Sequence, residues 1–192
     1  MNQNKQMKKC FYKLNETIGS SLSETLVTVL LLSIVLLAVV SGIDAARNSY
    51  SKIVRKAEAM TLLSTISVGM EADLASAETT PVNTNVTVSK DDGSAEVRSV
   101  VQFKSGMRGY MMYFDTIKNS ETDLDEICVV GIGGSSNVII PVATNAAHAK
   151  YLQSRLEMEP WDADKGYFEY TISILYNDQV ITSQNYVTRP YK

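Results

Sequence analysis

Glu24 is a lone carboxylate at the mouth of an apolar run. From Thr25 to Ile43 the chain passes 19 residues without a charge, close to the ~20 that a helix needs to cross a bilayer. A carboxyl group carried into such surroundings costs a few kcal/mol, so an ionisable residue there is functional by default. An isolated buried carboxylate is costly, whereas one that meets a cation is tolerated. The chemistry open to Glu24 is therefore ion pairing in an apolar environment. The residues leading into it are Gly19-Ser20-Ser21-Leu22-Ser23-Glu24, with the glycine five positions before the acid.

The rest of the chain offers little reactive chemistry. The one histidine, His148, lies in an Ala-rich stretch with no cysteine or carboxylate beside it, which is the setting of a surface residue. No Ser-His-Asp set, phosphate loop or Cys-x-x-Cys pair occurs. Asp123, Asp125 and Glu126 cluster, and Asp162-Ala163-Asp164-Lys165-Gly166 resembles a short acidic loop. Calcium takes six to eight oxygens, more than either fragment supplies, so both are expected to be solvated turns. The sequence calls for no catalytic residue, no metal and no cofactor. Trp161, beside Pro160, is expected to cap the core locally. Of the two cysteines, Cys10 lies in the N-terminal basic segment and Cys128 sits in the apolar Ile127-Cys128-Val129-Val130. The pair is not expected to bridge, and Cys128 is expected to be a small buried hydrophobe.

Charge excludes one class of partner. The 192 residues carry a formal net charge of −3. Lys5, Lys8, Lys9 and Lys13 precede Gly19 against Glu16 alone, so the remainder holds 14 Lys or Arg against 20 Asp or Glu. Nucleic-acid binding relies on clustered Lys and Arg, and none is predicted. The length suits one domain plus an anchor.

Three readings of the N-terminus compete. A cleaved secretory signal would be cut after its apolar core, and Leu36-Leu37-Ala38-Val39-Val40-Ser41-Gly42 offers a site, but the run exceeds an ordinary h-region of about 7–15 residues. An uncleaved single-pass anchor would bind a ligand through its exported domain without assembling. A third reading cuts before the apolar run and keeps the helix. Flanking charge does not choose, because Arg47, Lys52, Arg55 and Lys56 follow the run as well. Glu24 favours the third, since neither a signal nor a plain anchor has a use for it.

A basic leader, Gly19, Leu22, Glu24 and a long apolar helix together resemble the N-terminus of type IV prepilins and pseudopilins, over about the first 50 positions. The resemblance implies cleavage by prepilin peptidase between Gly19 and Ser20, and methylation of the new Ser20 amine. Glu24, with Leu22, would then serve assembly by pairing with the N-terminal amine of a neighbouring subunit. An α-amino group has a reference pKa of ~7.7–8 and is largely protonated at neutral pH. The implied partners are prepilin peptidase, other pilin subunits through the N-terminal helix, a pilus assembly platform and the membrane. Ser20 replaces the phenylalanine usual after the cut, and Ser21 and Ser23 make the start polar, which points to a minor pilin or pseudopilin. The disulfide loop common in Gram-negative pilins is missing, which fits a Gram-positive source. The implied location is the cell membrane, crossed once, with the head outside the cytoplasm or in a surface filament.

These features divide the chain into a leader (1–19), an apolar membrane and assembly helix (20–43), an amphipathic continuation of that helix (44–78) and a β-rich head (79–192). In the continuation, Tyr50, Ile53, Val54, Ala57, Met60, Leu63, Ile66, Met70, Leu74 and Ala77 recur at spacings of three and four. The helix is expected to stop before Thr79-Thr80-Pro81, because the residue before proline disfavours helix. Glycine within a helix costs ~1 kcal/mol relative to alanine, so Ser41-Gly42 is a place where the helix either loosens or tolerates one glycine. Beyond Pro81 the period becomes two. Val86 and Val88 precede an Asp91-Asp92-Gly93 turn, with Val97 to Phe103 as partner. Tyr110 to Phe114 is a further strand. Ile127 to Ile132 pairs with Val138 to Val142, and Tyr167 to Tyr176 pairs with Gln179 to Thr188 across Asn177-Asp178. Residues 143–158 read equally as helix or strand. Helix first and antiparallel strands afterwards is an α+β pattern, a long N-terminal helix packed on an antiparallel sheet.

Overall fold

The structure, a computed structural model, describes residues 3–89, 95–133, 138–143 and 151–191, with side chains from Leu22 onward except at 88 and 89. The Asp91-Asp92-Gly93 turn, His148 and the side chains of Cys10, Gly19 and Ser20 lie outside that description. One α-helix, α1, covers Gln3–Ala75. Among the described residues eight strands follow: β1 (Val82–Ser89), β2 (Ala95–Lys104), β3 (Met111–Lys118), β4 (Asp125–Ile132), β5 (Val138–Pro141), β6 (Leu152–Met158), β7 (Phe168–Tyr176) and β8 (Gln179–Thr188). The fold is α+β, as the order of elements requires. By contacts the chain forms two units, Met1–Ile53 and Val54–Lys192.

Within the second unit the strands form two antiparallel sheets, β1-β2-β3-β4-β5 and β6-β7-β8. The three expected hairpin pairings are present, β1 with β2, β4 with β5 and β7 with β8. The β7–β8 turn places Asn177 and Asp178 at φ of 49° and 60°, the double left-handed geometry that suits right-twisted hairpins and that Asn and Asp accept more readily than most residues. The ambiguous stretch resolves as strand from Leu152 onward. There Leu152, Ser154 and Leu156 alternate with Gln153, Arg155 and Glu157, and the first set faces the core.

One core joins the helix to both sheets. From α1 it takes Ala59, Leu62, Leu63, Ile66, Met70 and Leu74. From the five-stranded sheet come Val101, Phe103, Met112, Phe114, Ile127 and Val129, and from the other Leu152, Phe168, Tyr170, Ile172 and Ile174. This corrects part of the expected stripe. Ile53 is 67% exposed and Met60 51% exposed, and Tyr50 and Ala57 are exposed as well. At 3.6 residues per turn, Ile53 and Ala57 fall about half a turn from Ile66. Spacings of three and four fit both faces of this helix, and the buried face is the one carrying Leu62, Ile66, Met70 and Leu74.

The end of α1 is fastened from two directions. The Gly106 amide donates to the Ser76 carbonyl at 2.8 Å, and the Tyr191 amide donates to the Ala75 carbonyl at 2.7 Å. Both bonds satisfy carbonyls that a helix terminus leaves without an internal partner.

Candidate functional site

The first candidate is the apolar run itself. Every side chain from Leu22 to Ile43 is exposed, and among the described residues this helix is the one long and apolar enough to cross a membrane. Leaving Val, Leu or Ile in water forfeits ~1.5–3 kcal/mol for each side chain that could be buried, so the surface calls for lipid or a protein partner. Three of its hydroxyl groups are already satisfied for that purpose. Thr25 Oγ1 donates to the Leu22 carbonyl at 2.9 Å, Thr28 Oγ1 to the Glu24 carbonyl at 2.7 Å, and Ser33 Oγ to the Val29 carbonyl at 2.8 Å. Hydroxyls turned back on the helix in this way enter an apolar medium without stranding a donor. Glu24 is different. Its side chain is exposed, and among the described residues none hydrogen-bonds its carboxylate.

Gly19 and Ser20 lie in the same helical backbone as Leu22 and Glu24. The four predicted positions are thus strung along one helix and are not gathered into a pocket. The helix continues through Ser41 and Gly42, where an added Cβ would meet nothing within 4 Å, so it tolerates this glycine without breaking.

In the second unit the acidic candidates disperse to separate partners. Asp123 pairs with Lys118 at 2.7 Å, Asp125 reaches Arg155 at 3.8 Å, and Glu126 accepts from Asn119 Nδ2 at 3.1 Å. The Asp162 loop closes on itself, its Oδ1 accepting from the Asp164 amide and its carbonyl from the Gly166 amide. Among the described residues no group of three or more His, Cys, Asp or Glu could hold a metal ion. Trp161 packs on the core, its ring centroid 4.7 Å from that of Phe168. Cys128 is buried, and that burial, reinforced by the negative Glu126 and Asp115, pushes its thiol up to about 11.

Two polar networks were not anticipated. Asp73 is almost fully enclosed and takes Arg108 Nε on both carboxylate oxygens, at 3.0 and 2.9 Å, and Ser105 Oγ at 3.1 Å. Burial opposes the charge on Arg108, but its interactions with Asp73 and Tyr110 together outweigh that and raise its pKa. The signal was present in the sequence, since Asp73 lies on the same helix face as Ile66 and Met70. The second network sits on the other face of the five-stranded sheet, where Arg98 bonds Asp115, Glu96 and the Thr116 carbonyl. Burial raises the Asp115 pKa, and Arg98 offsets only part of that rise.

No protein-family model, curated protein or solved structure matches this chain. What stands is the arrangement: an exposed apolar N-terminal helix of membrane-crossing length, followed by an α+β unit of two antiparallel sheets.

Proposed function

We propose that this chain is a structural filament subunit, a minor pilin or pseudopilin. In this reading prepilin peptidase cuts between Gly19 and Ser20, and the Ser20 amine is the site of methylation. The helix from residue 20 to 43 holds the subunit in the cell membrane with its head outside the cytoplasm, then packs against other pilin subunits delivered by an assembly platform. Assembly, and not catalysis, is the activity.

The observation that carries this is Glu24 at the head of an exposed, charge-free helical run, five residues after Gly19 and followed by an α+β head. In a helix bundle, the partner that makes such a carboxylate tolerable is a cation placed at the same depth. A freed N-terminal amine four residues away in sequence, supplied by the adjacent subunit, meets that need. Glu24 then sets the axial register between neighbours. The system served, whether a type IV pilus, a competence filament or a secretion pseudopilus, is a further question for its partners to answer.

The test is the intact mass and N-terminal sequence of the protein recovered from its host membrane. A chain beginning at Ser20 supports the reading. A chain beginning at Met1 removes it and leaves a single-pass anchor whose head binds an extracellular ligand.

A further inference from the structure

Among the described residues the two sheets end in four edge strands, β1, β5, β6 and β8. An open edge presents unpaired N–H and C=O groups, which proteins blunt with short strands, proline, charge or a covering loop. β5 is four residues long and ends in Pro141. β6 carries Arg155 and Glu157. β1 is tied near its start to the loop at Trp161, whose amide donates to Asn83 Oδ1 at 2.7 Å and whose carbonyl accepts from Asn83 Nδ2 at 3.0 Å.

Beyond the bulge at Ile181, β8 has none of these guards. Its ten residues, Gln179-Val-Ile-Thr-Ser-Gln-Asn-Tyr-Val-Thr188, include no charge, no proline and no glycine. β7 satisfies its inner side from Phe168↔Thr188 to Tyr176↔Gln179, with a single register shift at Ile174/Leu175. Among the described residues no strand pairs with its outer side. Every second residue of an antiparallel strand turns both backbone groups to the same side, so this edge is a template ~34 Å long at ~3.4 Å per residue.

We propose that the outer edge of β8 pairs antiparallel with β8 of a second copy of this chain, joining two three-stranded sheets into one of six. The edge is suited to itself. A two-fold axis lets one surface serve both partners, and a strand without charge meets its copy without the like-charge opposition that destabilises cross-strand pairs. A register centred on Gln184 keeps the faces matched. It sets Ser183 of one copy opposite Asn185 of the other, and both are exposed. Two strands alone bury less than the ~1,200 Å² of a standard interface, so the contact is weak between free molecules and gains strength when copies share a membrane. The inference stands whether or not the chain is cut after Gly19.

The experiment uses the full chain in lipid vesicles, in a Cys10→Ser background, with Cys128 left in place because it is buried. Vesicles holding Ser183→Cys and Asn185→Cys together are oxidised and the disulfide-linked dimer is measured against a Glu157→Cys control on β6. The expected yield is at least tenfold above the control, with a tenfold fall when Gln184→Lys places like charges across the axis. A yield no higher than the control overturns the proposal, as does one that Gln184→Lys leaves unchanged. A yield that appears only when host membrane extract is added assigns the edge to another protein and also overturns it. Hydrogen exchange on the unsubstituted chain gives a second reading independent of any variant's folding. The outer-edge amides of β8 are expected to slow at least tenfold as protein density in the vesicles rises, and exchange that is independent of density overturns the pairing.

Discussion

Asp73 and Arg108 form an ion pair at the end of α1 in which the two partners differ in exposure. The Asp73 side chain is 5% exposed and that of Arg108 is 31% exposed. Ser105, in contact with the same carboxylate, shares a hydrogen bond with Ser76 at 3.3 Å, so the pair ties the last turn of α1 to the loop between β2 and β3. The difference in exposure predicts an asymmetry. Arg108→Ala strands an enclosed carboxylate and is expected to cost about 3 kcal/mol, whereas Asp73→Ala leaves a guanidinium that water still reaches and is expected to cost about half as much. The double variant should resemble Asp73→Ala alone. Denaturant unfolding of the full chain in detergent checks all three, and equal losses from the two single variants would contradict this account.

Gly106 lies in that same loop and has no room for a side chain. A Cβ there would stand 2.8 Å from the Ser76 carbonyl oxygen and 3.2 Å from Glu78 Cγ. The first neighbour is helix-end backbone, which cannot swing away as a flexible side chain would. Gly106→Ala is expected to cost about 1–3 kcal/mol and to weaken the Gly106–Ser76 bond. Faster exchange of the Gly106 amide, together with the lower unfolding midpoint, is the paired observation to seek.

Cys128 yields a prediction about pH. Its thiol is pushed from an ordinary value of 9.0 to about 11, first by burial and then by the charges of Glu126 and Asp115. Because the folded value is the higher one, the contribution to stability is complete below the unfolded value. It is lost as pH rises from near 9 towards about 11, where the unfolded thiol ionises before the native one. The loss is of the order of 2 kcal/mol, and Cys128→Ala should remove that part of the alkaline slope. Native Cys128 should also react with an alkylating reagent at pH 8 at least 100-fold more slowly than in denaturant, because the thiolate is the reactive form.

The legibility of this chain follows from which residues had local signals. Strands β2, β4, β7 and β8 alternate or run apolar between turn residues, so hydrophobic period alone located them. β6 alternates equally well from Leu152 to Leu156, but an Ala-rich stretch precedes it, and the two patterns together read as helix or strand. At Tyr50, Ile53, Ala57 and Met60 the apolar spacing does not mark the buried face of α1, since apolar residues occupy both sides of the helix there. Only packing against Phe103, Met112 and Phe168 selects one side. The position of Asp73 on the buried face is legible, but its pairing with Arg108 is not, because 35 positions separate the two and no local period reports such a contact. Glu24, in contrast, was conspicuous because its surroundings are uniformly apolar. A charge in a charge-free run needs no tertiary structure to be noticed.

That isolation is why the proposed assembly turns on Glu24. Its helix holds other polar groups, but Thr25, Thr28 and Ser33 all turn back on the backbone and need no outside partner. Removing the carboxylate therefore leaves the insertion of the helix untouched or slightly eased, since an acid in an apolar segment opposes insertion by a few kcal/mol. The proposed pairing between subunits, however, loses its only anion. Glu24→Ala is expected to reach the membrane and to be processed at the wild-type level, while its recovery in sheared filaments falls at least tenfold. Glu24→Asp keeps the charge on a stem one methylene shorter and should restore part of that recovery, whereas Glu24→Gln, which keeps the shape without the charge, should restore little. Equal incorporation of the glutamine variant would show that the charge is dispensable, and the ion-pair register would have to be abandoned.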